Sequence, residues 1–211
     1  MQTNLVSQRL FSFASAIALC VLASLAGCAA SGSKSALSQR LEQNGYSFMP
    51  PDQDGWFIAS RSSNRVTLAK SGRFKGESYL IEGSHLDLEG MAGAGGLADF
   101  ASDLHTSMLP APRFRIREDE MSDIDIVGAR CVLTHIVAED RDPETGSNVL
   151  TAMLIESVST VCIHPTSPSV GITMAFTHRS FPEDRDRAFE AYAQSVLQTQ
   201  QFSPVNAQAT N

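Results

Sequence analysis

The chain has 211 residues, 16 Lys plus Arg against 23 Asp plus Glu, a formal charge of -7 and 43 % hydrophobic residues. That is enough for one domain with its own core and short for two. The acidic balance excludes general nucleic-acid binding, since no positive field gathers phosphates, and 4 Cys, 14 Gly and 9 Pro exclude a cysteine-stapled, collagen-like or wholly disordered chain.

Residues 1–9 are polar with one cation, Arg9, and residues 10–27 carry no charge and are rich in Leu, Ala, Phe and Val. A cationic start, an apolar stretch and small residues have the layout of an export signal. The run is at the lower edge of bilayer-spanning length and is diluted by serines, which disfavours a retained membrane helix. Leu25-Ala26-Gly27-Cys28 closes it. This segment resembles the signal of bacterial lipoproteins, in which cleavage precedes a cysteine whose thiol then receives the lipid. The resemblance implies that residues 1–27 are removed and that Cys28 carries acyl chains, two or three of which hold a domain firmly to a membrane. Ala29 in place of Asp implies an outer-membrane address, with the domain facing the periplasm. Losing Arg9 makes the mature chain still more acidic, so lipid rather than charge is expected to anchor it.

Residues 28–44 read as the lipidated end and a flexible tether, since 29–38 (AASGSKSALS) are small and polar. The domain is expected over 45–202, with 203–211 a frayed tail. Runs 56–61 (WFIASR) and 65–70 (RVTLAK), split by Ser62-Ser63-Asn64, predict a hairpin anchored by Trp56. Run 78–83 (SYLIEG) predicts a third strand. Leu97, Phe100, Ala101, Leu104 and Met108 then repeat at helical spacing, which predicts a helix from about Gly95 or Gly96 to before Pro110.

Arg113, Arg115 and Arg117 alternate with Phe114 and Ile116 ahead of Glu118, Asp119 and Glu120, as in a solvated strand face. Residues 131–138, 149–163 and 170–178 are the strongest strand candidates, and their short connections predict an antiparallel meander. Ser180-Phe181-Pro182-Glu183 has the spacing of a capping box before a last helix, whose apolar stripe is Phe189, Tyr192, Ala193, Val196 and Leu197. The expected order is β-β-β-α-β-β-β-β-α, an α/β fold with a mostly antiparallel sheet flanked by two helices. Over 45–202 the Gly55-Trp56 strand start, the helix after three strands and the closing amphipathic helix resemble the PsbP-like group, which implies an α/β/α sandwich. Proteins of that group act mostly as binding or assembly components.

Cys131 and Cys162 remain for the folded domain. If their strands pair, the register that joins them also joins residues 139 and 154, and opposed cysteines on antiparallel strands can reach disulfide distance. A disulfide is the leading reading, and two buried free thiols the alternative. His85, His105, His135, His164 and His178 show no metal-ligand spacing. Gly83-Ser84-His85-Leu86-Asp87 holds the residue types of a hydrolytic triad, but neighbours on one strand do not form it. No catalytic residue, metal ligand or cofactor is nominated.

These readings predict a lipid-anchored envelope protein that binds or helps assemble another envelope protein, with the membrane as its second partner and no nucleic acid. Its interface is expected on the charged segments around 111–130 and 139–148, through Arg113, Arg115, Arg117, Glu118, Asp119, Glu120, Asp140, Arg141 and Asp142. The rival is an envelope hydrolase or small-ligand-binding protein, favoured by a deep pocket where Ser84 or His85 meets a distant acid or histidine.

Overall fold

Alternating apolar residues and short turns dominate the chain, and strands dominate the computed structural model, which describes residues 37, 39–88, 96–141 and 152–206. In chain order the elements are β1 (Leu41–Gln43), β2 (Tyr46–Phe48), β3 (Phe57–Arg61), β4 (Arg65–Ser71), β5 (Ser78–Asp87), α1 (Leu97–Met108), β6 (Phe114–Ile126), β7 (Ala129–Asp140), β8 (Met153–Ile163), β9 (Val170–Ser180), a 3-10 turn (Pro182–Asp184), α2 (Phe189–Leu197) and β10 (Gln201–Phe202). From β3 to α2 this is the order read from the sequence.

The large sheet is antiparallel, in the order β3-β4-β5-β9-β8-β7-β6. The meander β6–β9 therefore returns to the first three strands through the β5–β9 pair, which runs from Ser78↔Arg179 to Asp87↔Val170. Strict alternation in β9 sends Ile172, Met174, Phe176 and His178 to one buried face. That face meets α2: Phe189, Ala193, Val196 and Leu197 pack on Trp56, Val158, Met174 and Phe176. Phe176 is the hub, edge-on to Trp56 at 5.5 Å and to Phe189 at 5.2 Å, geometry that adds to area burial. The opposite face meets α1, whose Leu97 and Ala101 pack on Val132 and Val161. One helix thus lies on each face of a mostly antiparallel sheet.

The capping box is not used. Ser180 is the last residue of β9 and is buried with it, the chain then passes through the 3-10 turn, and α2 starts only at Phe189. In the turn before α2, Asp186 Oδ1 accepts the Ala188 N–H at 2.9 Å, and no side chain caps the helix.

A second sheet, β1-β2-β10, was not read from the sequence. Asn44-Gly45 joins β1 to β2, with Gly45 at φ 79°, and β10 adds its edge through Gln201↔Ser47 and Phe202↔Tyr46. Leu41–Gln43 falls inside the segment read as a tether, and Ser203–Asn206 inside that read as a tail. Both stretches are held: the Ser203 N–H donates to Gly45 O and the Asn206 N–H to Asn44 Oδ1. Tyr46 lies directly over Gly83, where a Cβ would come within 2.8 Å of its hydroxyl oxygen.

Candidate functional site

Two regions of the sheet gather chemistry: its outer strand β6, and the α1 side of its centre.

β6 has 13 residues, nearly all exposed, and edges the large sheet. Arg113, just before it, and its own Arg115 and Arg117 do not share one face, because a bulge between Ile116 and Glu118 sets Arg117 out of alternation. Their surroundings differ. Arg113 donates through Nε and an NH2 nitrogen to the two carboxylate oxygens of Asp140, at 2.9 and 3.0 Å. Arg117 pairs with Glu139. Arg115 sits opposite Glu139 in the β6–β7 register and is exposed. Asp140, expected among the interface charges, instead ends β7 and is 1 % exposed, with Arg179 3.7 Å away on its other side. It holds Arg113 in place rather than facing a partner. Arg141 is exposed, and Asp142 lies outside the described residues.

Glu118 is tied inward. Arg185, from the link before α2, donates to both its oxygens at 2.8 and 2.9 Å and reaches Glu156 at 3.0 and 3.1 Å. The hydrogen bonds from Arg185 hold the Glu118 carboxyl below its ordinary range, against the smaller upward push of burial. Glu156 also meets His135 Nε2 at 2.9 Å, and His135 Nδ1 lies 3.6 Å from Glu190 on α2. This network passes from the exposed strand through buried groups to the helix and holds Glu118 in position.

The second region is a cleft of about 260 Å3 between α1 and the sheet. β5 supplies Leu80, Glu82, Ser84 and Leu86, β8 supplies Ile155, Ser157 and Ser159, and α1 supplies Leu104, His105 and Met108. His105 Nε2 lies 3.0 Å from Ser159 Oγ, and its Nδ1 is buried with no hydrogen-bond partner. An unmet buried polar atom of this kind costs about 1–3 kcal/mol. Burial pulls the His105 pKa below its ordinary value, against the weaker upward pull of Asp119, so the ring is neutral at pH 7.

A serine hydroxyl against a neutral imidazole has the composition of a nucleophile and its base. The arrangement goes no further. No carboxylate bonds Nδ1, and Ser159 sits mid-strand between β7 and β9, where the ladder takes up the backbone N–H groups that an oxyanion needs. Ser84 and His85 point to opposite faces: Ser84 lines the cleft, whereas His85 bonds the Asn44 carbonyl on the other side. The pocket sought for the rival reading therefore holds Ser84 and a distant histidine, but that histidine bonds Ser159.

The remaining histidines are structural. His164 Nε2 lies 3.1 Å from Gly45 O and 2.9 Å from Ser203 O, pinning the small sheet. His178 meets Glu77 at 3.1 Å and stacks on Tyr79 with centroids 4.2 Å apart. Among the described residues no group of His, Cys, Asp or Glu could hold a metal ion, and no helix is long and apolar enough to cross a membrane. Cys131 and Cys162 form a disulfide, directly opposed in the β7–β8 register that also pairs Glu139 with Leu154. Cys28 lies outside the described residues.

No protein-family model matches the chain, and no curated protein matches it. Solved structures do. The chain is similar to cyanobacterial PsbP (CyanoP) from Synechocystis sp. PCC 6803, at 16 % identity and TM-score 0.49, over 85 % of this chain and 99 % of that one. It is similar to a protein of Bacteroides thetaiotaomicron at 12 % identity and TM-score 0.42, over 79 % and 49 % of the two chains. A third likeness is to the lipid transfer and protein localization domain of human StarD13, at 9 % identity and TM-score 0.27, over 70 % and 88 %. At such identities no chemistry passes from these proteins to this chain.

Proposed function

We propose that this chain is a bacterial lipoprotein with a PsbP-like α/β/α domain, anchored by acyl chains on Cys28 in the outer membrane, where the domain faces the periplasm and binds or helps assemble another envelope protein. The anchor rests on the Leu25-Ala26-Gly27-Cys28 segment after its uncharged apolar run. The PsbP-like assignment rests on the element order and on one helix per sheet face.

The observation that carries the binding role is β6. A long exposed edge strand is ordinarily a liability and is blunted by charge and bulges. Here one of the charges, Glu118, is also held in register by Arg185, and Arg113, just before the strand, is held by Asp140. Exposed ion pairs add little stability, so fixing their positions serves recognition better than folding. Arg115, Glu120 and Asp123 are outward groups in this frame.

Two measurements test the proposal. Intact mass of the membrane-extracted protein reads a mature chain that starts at lipidated Cys28; an uncleaved or unlipidated chain refutes the anchor. Crosslinking in intact cells reads the interface: the triple reversal Arg115→Glu, Glu120→Lys and Asp123→Lys keeps the melting temperature within about 5 °C, since exposed substitutions cost little, and cuts crosslink yield at least fivefold. Unchanged yield removes β6 from the interface.

A further inference from the structure

The cleft beside α1 is separate from the β6 surface proposed as the interface. Its lining mixes apolar side chains, Leu80, Leu86, Ile155 and Met108 among them, with a sheet floor of hydroxyls. Those hydroxyls are partly spent on each other, as Ser157 and Thr177 are, 3.1 Å apart. His105 is different. It is 8 % exposed, one ring nitrogen is engaged by Ser159, and the other has no partner among the described residues. The cleft is thus mostly apolar, and His105 in its lining carries a buried ring nitrogen with no hydrogen-bond partner among the described residues.

Charge and size narrow the occupant. Glu82 is the charged carboxylate of the lining, paired at 2.5 Å with Arg65, and Asp119 stands near enough to His105 to raise its pKa. The field at His105 is therefore acidic, and the nearby Arg65 is already engaged, so an anionic head group is disfavoured there. A cationic head would leave Nδ1 facing a charge in a water-poor site, at a desolvation cost. The volume, about 260 Å3, equals roughly nine waters at ~30 Å3 each, or an alkyl chain of about eight carbons. A helix, ~10 Å across with its side chains, does not fit.

We infer that this cleft binds an uncharged single-chain amphiphile, its alkyl chain against Leu80, Leu86 and Ile155 and its hydroxyl on His105. A hydroxyl suits either tautomer of the ring, because it donates to a bare nitrogen and accepts from an N–H.

The test compares 1-octanol, octanoate and octylammonium at equal concentration on the full chain, with melting temperature as readout. Octanol at ten times its Kd raises the melting temperature by about 3–5 °C, and the two charged compounds give less than a third of that. Ala175→Phe fills the cleft floor, and Leu80→Arg, at a side chain already 38 % exposed, places a charge in the lining. Each reduces the octanol shift below about 1 °C while leaving far-UV circular dichroism unchanged, and Leu80→Arg carries the test alone if Ala175→Phe does not fold. Any partition of octanol into lipid is the same for all variants, so the difference between them reads the cleft. Three outcomes overturn the inference: no shift in the parent, equal shifts from all three compounds, or an octanol shift that survives the substitutions.

Discussion

Reducing the Cys131–Cys162 bond releases a loop spanning 31 residues, and the closure entropy of such a loop is about 3.7 kcal/mol at 25 °C. The native hairpin barely needs the bridge, because nine further β7–β8 pairs, from Val132↔Val161 to Asp140↔Met153, set the same register. Nearly all of the effect therefore acts on the unfolded chain, which gains freedom once the bond is cut. Trp56 is the single tryptophan and is buried against Phe176, so its fluorescence reports loss of the core. In urea titrations, with a slope of about 2–3 kcal/mol per molar for a domain of this size, reduction lowers the midpoint by roughly 1–2 M. The slope itself rises, since the unbridged chain exposes more surface. Cys131→Ala with Cys162→Ala loses the same amount plus about 0.8 kcal/mol for each buried sulfur removed. A reduced protein whose midpoint moves by less than about 0.3 M refutes the argument, as it would show that the unfolded chain is no freer without the bond.

Phe189→Ala empties the ring site between Phe176 and His178 and costs about 3–5 kcal/mol in the same titration; a loss under 1 kcal/mol would mean that α2 does not close the core. Val127, 68 % exposed in the β6–β7 turn, is the described non-glycine residue at positive φ, 50°, so Val127→Asn relieves a β-branched side chain from the left-handed region and raises stability by roughly 1 kcal/mol. Burial depresses the His105 pKa below 6.5, so the stability it contributes is present above pH 6.5 and is lost as pH falls through the folded value. His105→Gln flattens the melting profile there, and parallel profiles would contradict the assignment. For Glu77, burial pushes the carboxyl up, but hydrogen bonds from the Phe74 and Arg73 N–H groups and from His178 outweigh it and hold it below 4.5. Its contribution is complete above that value and lost below it, so Glu77→Gln weakens the acid dependence in the more acidic window.

The disulfide register was legible because parity is strict in long strands: once Cys131 opposes Cys162, every partner down to Glu139 and Leu154 follows. Parity would also have corrected the start of α2, since Ile172, Met174, Phe176 and His178 place Ser180 on the same buried face, as a strand residue rather than a cap. The β1–β2 hairpin escaped for the opposite reason. Asn44-Gly45 is a strong turn signal, but strands of three residues show too little alternation to be recognised beside it. Asp140 was misplaced because Glu139-Asp140-Arg141-Asp142 reads as a solvated run, and only the salt bridges with Arg113 and Arg179 explain a buried carboxylate there. The network through Arg185 joins residues far apart in sequence and has no local signal.

The cleft follows from a mismatch of dimensions that no local pattern expresses. Seven strands at about 4.8 Å spacing make a sheet roughly 29 Å wide, whereas α1, with 12 residues, is about 18 Å long and 10 Å across. One such helix cannot cover that face, and α1 settles over Val132 and Val161. The part that α1 leaves carries side chains that tolerate water: Ser84, Ser157, Thr173 and Thr177 lie there, whereas the α2 side of the same strands carries Ile81, Val158, Met174 and Phe176. Solvation accounts for the hydroxyls. It does not account for Leu80 and Ile155 set among them, nor for His105 buried with a ring nitrogen that is idle among the described residues, and on a face built merely to meet water both features are costs. A bound apolar chain with one hydroxyl would turn both costs into contacts, which is why the half-covered face is the place to look for a ligand, and the charged edge β6 the place to look for a protein.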